Sequence, residues 1–115
     1  MARVDLTLNN FVRSGITDPT GQSVTAANDA MVTNDGKTVL RIVNASGVSA
    51  NLSFETPGDV TGLAIADLIP AAQATGTTFW YGPFETGVFN QISADAGKVY
   101  VNTDQTVTIT AFRLP

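Results

Sequence analysis

From Val4 to Leu8 the chain alternates, with Val4, Leu6 and Leu8 set against Asp5 and Thr7, and a period of two predicts a half-buried strand. The next stretch, Arg13 to Asn34, is rich in Ser, Thr, Gly, Asn and Asp and carries Asp18-Pro19 and Thr20-Gly21, so it predicts a loop with at most short edge pairing. Asn34-Asp35-Gly36 supplies residues that tolerate positive φ, as a tight turn requires. The strand Thr38 to Asn44 follows, with apolar residues on both faces apart from Arg41, which predicts a central strand with Leu40 and Ile42 inward. Another alternating strand runs from Ala50 to Thr56, with Leu52 and Phe54 on one face, and Pro57-Gly58 closes it.

The segment Gly62 to Ala74 has the Ala and Leu content of a helix, but Pro70 in its middle and the glycines at 62 and 76 favour an extended path. TTFWYGPF, residues 77–84, concentrates four aromatics around one Gly-Pro and is followed by VFNQI. Two last strands, Lys98 to Val101 and Thr106 to Leu114, are joined around Asn102-Thr103-Asp104-Gln105. In the second, Val107, Ile109 and Ala111 alternate with β-branched threonines.

Short strands separated by turn residues at intervals of roughly 8 to 12 positions predict an all-β fold, an antiparallel β-sandwich of jelly-roll or Ig-like type with about eight strands. The length of 115 residues matches one domain spanning 1–115, with a loop-rich stretch over about 13–34. Leu40, Ile42, Leu52, Phe54, Val107 and Ile109 are expected to share one core.

Composition narrows the function more than the fold. With 43% hydrophobic and 14% charged residues the chain has the material for a core and lacks the signature of disorder. Ten acidic residues against six basic ones give a net charge of −4, and the basic ones stand singly as Arg3, Arg13, Lys37, Arg41, Lys98 and Arg113. Nucleic acid is therefore not an expected partner, since a phosphate backbone calls for clustered cations. MARVDLTLNN lacks the basic start and continuous apolar run of a secretory signal, and no apolar run approaches the roughly 18 residues of a membrane span. These features predict a protein made in a cytoplasm with no membrane partner.

The chain contains neither His nor Cys, which removes the commonest general base, the thiol nucleophile and the preferred zinc ligands. The two glutamates, Glu55 and Glu85, have the chemistry of a glycosidase pair, but each stands beside a turn signal where solvated acids are common. Asp59, Asp67, Asp95 and Asp104 fall in no spaced acidic calcium loop. The sequons Asn44-Ala45-Ser46 and Asn51-Leu52-Ser53 match a glycosylation acceptor only by composition. No catalytic centre, metal or cofactor is expected. In the aromatic run, Phe79 and Tyr81 share one strand face and Trp80 takes the other. Phe79 and Phe84 are assigned to the core, and Trp80 stays open between core and contact surface.

The stretch DGKTVLRIVNASGVSANLSFETPGDVTGLAIADLIPA, with GPFETGVFNQ after it and a terminal VTITAFRL, resembles a family of small structural proteins of tailed phages. The shared elements are an N-D-G turn before a hydrophobic strand, a T-P-G-x-V-x-G-L-x-[VI]-A-D stretch, a G-P-F and a last strand ending in R-L. They cover roughly residues 34–114, and the first third departs from the pattern. The resemblance implies a virion component, a decoration or cement protein on the outside of the head, or another head or tail part. It also implies the major capsid protein as partner, a homotrimer, and a place on the capsid surface. The competing reading is a carbohydrate-binding or adhesin-type β-sandwich, which would expose Trp80 and Tyr81 together as a flat platform. Contact with the shell or with neighbouring copies is expected from the N-terminal third and from Trp80. The candidate residues are Arg3, Phe11, Arg13, Ile16 and Trp80, with Val24, Met31 and Val32 as loop residues that order against a partner. Residues 1–13 are expected to be dispensable for the fold.

Overall fold

The computed structural model describes residues 3–57, 59–60, 62–64, 66–92 and 95–115. Its elements in chain order are β1 (Val4–Asp5), β2 (Leu8–Asn10), β3 (Gln22–Val24), β4 (Ala30–Thr33), β5 (Thr38–Asn44), β6 (Leu52–Phe54), β7 (Asp59–Val60), β8 (Leu63–Ala64), β9 (Thr77–Tyr81), α1 (Thr86–Phe89), β10 (Lys98–Thr103) and β11 (Val107–Arg113). The protein is all-β, with two sheets packed face to face. One has the order β1-β4-β10-β6 and the other β2-β11-β5-β9, with β3 also paired to β11. β7 and β8 form a separate hairpin.

Alternation along the strands decides which side chains enter the space between the sheets. β5 reads buried and half-buried in strict turn, and Leu40 and Ile42 are fully buried. Leu52, Phe54, Val107 and Ile109 join them in one cluster, as the pattern predicts, together with Val99 and Val101 of β10. The Asn34-Asp35-Gly36 turn also stands where the sequence puts it. Gly36 has φ of 92°, and the Asn34 side-chain oxygen accepts from the Gly36 amide at 2.9 Å. This turn carries the chain from one sheet to the other. The segment from 62 to 74 is extended where described, with isolated bridges from Leu68 to Phe54 of β6 and from Gln73 to Ala50 just before it. Gly58 of the expected Pro57-Gly58 turn lies outside the described residues.

The first third departs from expectation. Residues 4–10 do not form one strand on one sheet. β1 pairs with β4 and β2 pairs with β11, both in parallel, so this stretch crosses from one sheet to the other with Leu6 buried at the crossing. The sandwich is thus mixed rather than wholly antiparallel, and it has more and shorter strands than expected. The expected loop over 13–34 is cut short as well. β3 and β4 both lie within it, and β4 sits inside its sheet between β1 and β10. Val24, Ala30 and Val32 are fully buried, so Val24 and Val32 belong to the core and are not partner-ordered loop residues. Met31 lies on the outer side of its sheet, opposite Asp5 and Tyr100. The four-residue run Ala30 to Thr33 is too short for its alternation to stand out, and its strand character comes from pairing on both sides.

Two edges need closing, because a sandwich with open flanks leaves backbone groups unpaired beside its core. On one flank the crossing stretch does this. The Leu6 amide donates to Met31 O at 2.8 Å and the Phe11 amide to Arg113 O at 2.9 Å. On the other flank Gln73 does it, although fully buried. Its backbone exchanges hydrogen bonds with Ala50 at 2.8 and 2.9 Å. Its Nε2 donates across to Ile42 O at 2.8 Å and Thr77 O at 2.9 Å, and its Oε1 accepts from the Tyr81 hydroxyl at 3.3 Å.

Two outcomes follow. Gln73→Leu keeps the volume but leaves these groups without their partner, so it should lower unfolding free energy by about 1 to 3 kcal/mol or more, read by urea titration. Deleting residues 1–13 removes β1, β2 and the buried Leu6, so the truncated chain should lose its cooperative unfolding transition and native circular dichroism rather than remain folded.

Candidate functional site

The outer side of the five-stranded sheet is built from residues in the polar phase of the strand alternation. On β11 these are Thr108, Thr110 and Phe112, on β5 Val39, Arg41 and Val43, and on β9 Thr78 and Trp80. The register sets Arg41 between Thr110 and Trp80, and Val39 opposite Phe112. Phe112 is the centre of this face. Phe11 stacks on it nearly parallel with ring centroids 4.9 Å apart, Trp80 stacks at 5.4 Å, and the Arg41 guanidinium lies 5.7 Å from its centroid. Although it points away from the core, Phe112 is only 2% exposed, whereas Trp80 is 56% exposed.

Arg41 also fastens the loop over 12–21 onto this face. It pairs with Asp18 and donates to Pro19 O at 3.2 Å and to Thr110 Oγ1 at 3.1 Å. The loop then passes so close to β11 that a Cβ on Gly21 would stand 2.5 Å from Thr108 Cγ2, a contact that only glycine avoids. The sequence-predicted residues Phe11 and Trp80 therefore meet on one aromatic cluster. Ile16 lies on the loop beside it and is 37% exposed, and Arg13 on the same loop is exposed with no ion pair among the described residues.

Arg3 does not join them. It lies on the outer side of the other sheet, with its guanidinium 3.9 Å from the Tyr100 ring centroid. It bonds Glu55 Oε2 at 2.8 Å and Ala30 O at 3.1 Å. Arg3 thus fastens the fold on the opposite face, away from Phe11 and Trp80. Phe79 is corrected. It faces the core side opposite Ile42 but is 41% exposed, because β9 is the last strand of its sheet. Phe84 is buried as expected. Tyr81 packs against Phe54 with centroids 5.3 Å apart, and burial raises the pKa of its phenol. Trp80 and Tyr81 thus lie on opposite faces of β9, and the flat platform they would share is not formed.

The outer side of the four-stranded sheet has a different chemistry. Lys98 Nζ pairs with Asp5 Oδ2 at 2.7 Å, Asn102 Nδ2 donates to Glu55 Oε2 at 2.8 Å, and the Tyr100 hydroxyl donates to Asp95. An open groove of about 470 Å³ runs along it, with Asp29, Asp104 and Ile69 among its lining residues. Its carboxylates serve the backbone: Asp29 Oδ1 accepts from the Thr103 amide at 2.9 Å, and Asp104 accepts from the Asn51 amide and side chain at 2.7 and 2.8 Å. Asp67 accepts from the Thr56 amide at 3.0 Å. Among the described residues no group of three potential metal ligands comes together, and the Asp59 side chain lies outside them. Glu55 is held by Arg3 and Asn102, while Glu85 precedes α1 on another element.

Phe112 and Arg41 are the members of the aromatic face that sequence reasoning passed over. The signal was present for Phe112, an apolar residue standing in the threonine phase of an otherwise strict alternation. The chain matches no family model, no curated protein and no solved structure.

The polar contacts set a pH dependence. Hydrogen bonding from Arg113 holds the Asp35 carboxyl below its ordinary pKa, and bonding from Asn51 does the same for Asp104. A carboxylate depressed in the folded state adds stability above its unfolded pKa and loses it as pH falls through the folded one. Thermal midpoints should therefore fall as pH drops below the ordinary carboxylate range. Asp104→Asn should lower the midpoint at neutral pH and flatten the acid limb. The effect should be modest because both groups are exposed.

Proposed function

We propose that this chain is a virion structural protein, a decoration or cement protein that binds the outside of a tailed-phage head and stabilises the shell by bridging capsomers. The major capsid protein is its partner, and the chain self-associates as a homo-oligomer. It is made in the host cytoplasm and ends on the capsid surface, and it performs no catalysis.

The motifs behind this reading sit at positions the fold needs. Gly82 of the G-P-F element has φ of 111°, and a Cβ there would lie 2.8 Å from Thr38 O, so the element fixes the exit from β9 while Phe84 enters the core. The observation that carries the reading is the aromatic face, where Trp80 is 56% exposed and stacks on Phe112 beside the half-buried Phe11. Exposed aromatic surface gathered in one place, with Ile16 on the adjoining loop, supports a part whose job is contact, since aromatic residues are enriched where protein surfaces meet. Most of the described acids, by contrast, are engaged one by one, Asp29, Asp67 and Asp104 with amides and Asp5, Asp18, Asp35 and Glu55 with cations.

Small contact energies suffice for such a protein, since each copy binds folded shell subunits and stabilises them by mass action, and many copies act together on one particle. Denaturing gels and mass spectrometry of purified particles test the reading. The chain should be present in many copies per head, and adding it to heads that lack it should raise the temperature at which they release DNA. Absence from heads, or binding that leaves the release temperature unchanged, would refute it.

A further inference from the structure

β9 ends its sheet with five residues, Thr77-Thr78-Phe79-Trp80-Tyr81, and its side away from β5 has no ladder partner among the described residues. The other edges are managed. β1 is two residues long, β2 and β3 are three each, and β6 is bridged by Leu68, with Gln73 bridging Ala50 just before it. Short length and covering segments are the usual protections of a sheet edge, together with Lys, Pro and inward charges. Among the described residues β9 has none of them along its outer edge, since Gln73 closes the space between the sheets and reaches β9 only at Thr77 O and the Tyr81 hydroxyl. The strand is uncharged and entirely β-branched or aromatic, and Phe79 and Trp80 are large exposed side chains on its two faces.

The geometry points to a second copy of this chain as the occupant, added strand to strand through β9 in an antiparallel, two-fold pair. Self-complementarity selects a second copy. β9 carries no charge, so the contact sets none of the chain's net −4 directly face to face. A two-fold axis perpendicular to the sheet pairs each residue with one on its own face, and full five-residue overlap centres the axis on Phe79. In that register Phe79 faces Phe79 of the other copy, Trp80 faces Thr78, and Tyr81 faces Thr77. Aromatic with aromatic and aromatic with β-branched are the favourable cross-strand combinations, and no like charges meet. The two five-stranded sheets become one continuous sheet, and the aromatic faces around Phe112 end up side by side.

The contact is small, since it covers one strand edge and the exposed parts of two aromatics per copy, which places it at the weak end of specific interfaces. It forms dimers rather than the trimer implied by the resemblance. It stands on the strand edge alone and does not depend on the virion reading.

Sedimentation over a wide concentration range should show reversible monomer and dimer. Trp80→Lys and Thr78→Lys, each placing a charge on the edge, should raise the dissociation constant by about tenfold or more with unchanged far-UV circular dichroism. Either variant is sufficient should the other fail to fold. The chain has no cysteine, so Phe79→Cys gives one thiol, and across the axis the two Cα atoms would stand about 4.5 to 5.5 Å apart, within disulfide reach. Under mild oxidation this variant should form a covalent dimer much faster than Ile92→Cys, whose side chain is exposed elsewhere. A chain that stays monomeric with no preferential Phe79→Cys crosslinking would overturn the proposal. So would a trimer, or a dimer insensitive to both lysine variants. Particle binding lost in Trp80→Lys while the native chain remains monomeric would assign the edge to a shell segment and equally overturn it.

Discussion

A two-sheet sandwich has to hold its sheets together at the flanks, and in this protein one buried glutamine joins the two sheets at one of them. Gln73 spends its backbone on Ala50 in the extension of the four-stranded sheet and its side chain on Ile42, Thr77 and Tyr81 of the five-stranded one. Its carbonyl also accepts from Asn44 Nδ2 at 2.9 Å, and Asn44 in turn holds Val48 O and the Ser46 amide and hydroxyl. The interior on this side is therefore polar and satisfied. Such a network fixes the relative position of two sheets more narrowly than packing of Val and Leu alone, because a shift of either sheet strands a buried donor or acceptor. Asn34 and Asn90 repeat the device beside α1, exchanging amide bonds at 2.7 and 2.9 Å while Asn34 also donates to Phe84 O.

With both flanks held, the two outer faces are free to differ. On the four-stranded sheet nearly every charge has a partner within the chain, as in Arg3 with Glu55 and Lys98 with Asp5. Exposed pairs of this kind add little stability. Their effect is to satisfy the face locally and leave few unmatched charges to recruit a partner. On the outer face of the five-stranded sheet Arg41 ties down the 12–21 loop, and Trp80 and Phe11 stand around a covered Phe112. A charge-paired face and an aromatic face thus lie on opposite sides of the sandwich.

Legibility in the sequence followed the length of each element and the number of sheets it serves. β5 and β11 are seven residues each, long enough for the period of two to reveal face and core together, and the four core residues named on them share one cluster with Leu52 and Phe54 of β6. Residues 4–10 show the same alternation, yet the crossing between sheets was invisible, because alternation reports which side is buried and not which neighbour buries it. Ala30 to Thr33 was too short and too small in side-chain volume to stand out among polar residues. The partners of Arg3 were hidden for a related reason, since Tyr100 and Glu55 reach it from positions far along the chain.

Phe112 shows how the aromatic face and the edge strand belong to one argument. An apolar ring in the outward phase of β11 would expose itself to water were it not flanked, and its flanks come from Phe11 and from Trp80 on β9. Each cover is incomplete. Phe11 is half-buried and Trp80 keeps more than half its surface in solvent, so the cluster transfers the exposure of Phe112 outward to the sheet edge instead of removing it. That displaced apolar surface sits next to unpaired backbone on β9, and the two together favour further strand pairing, where hydrogen bonding and ring burial are gained in the same step.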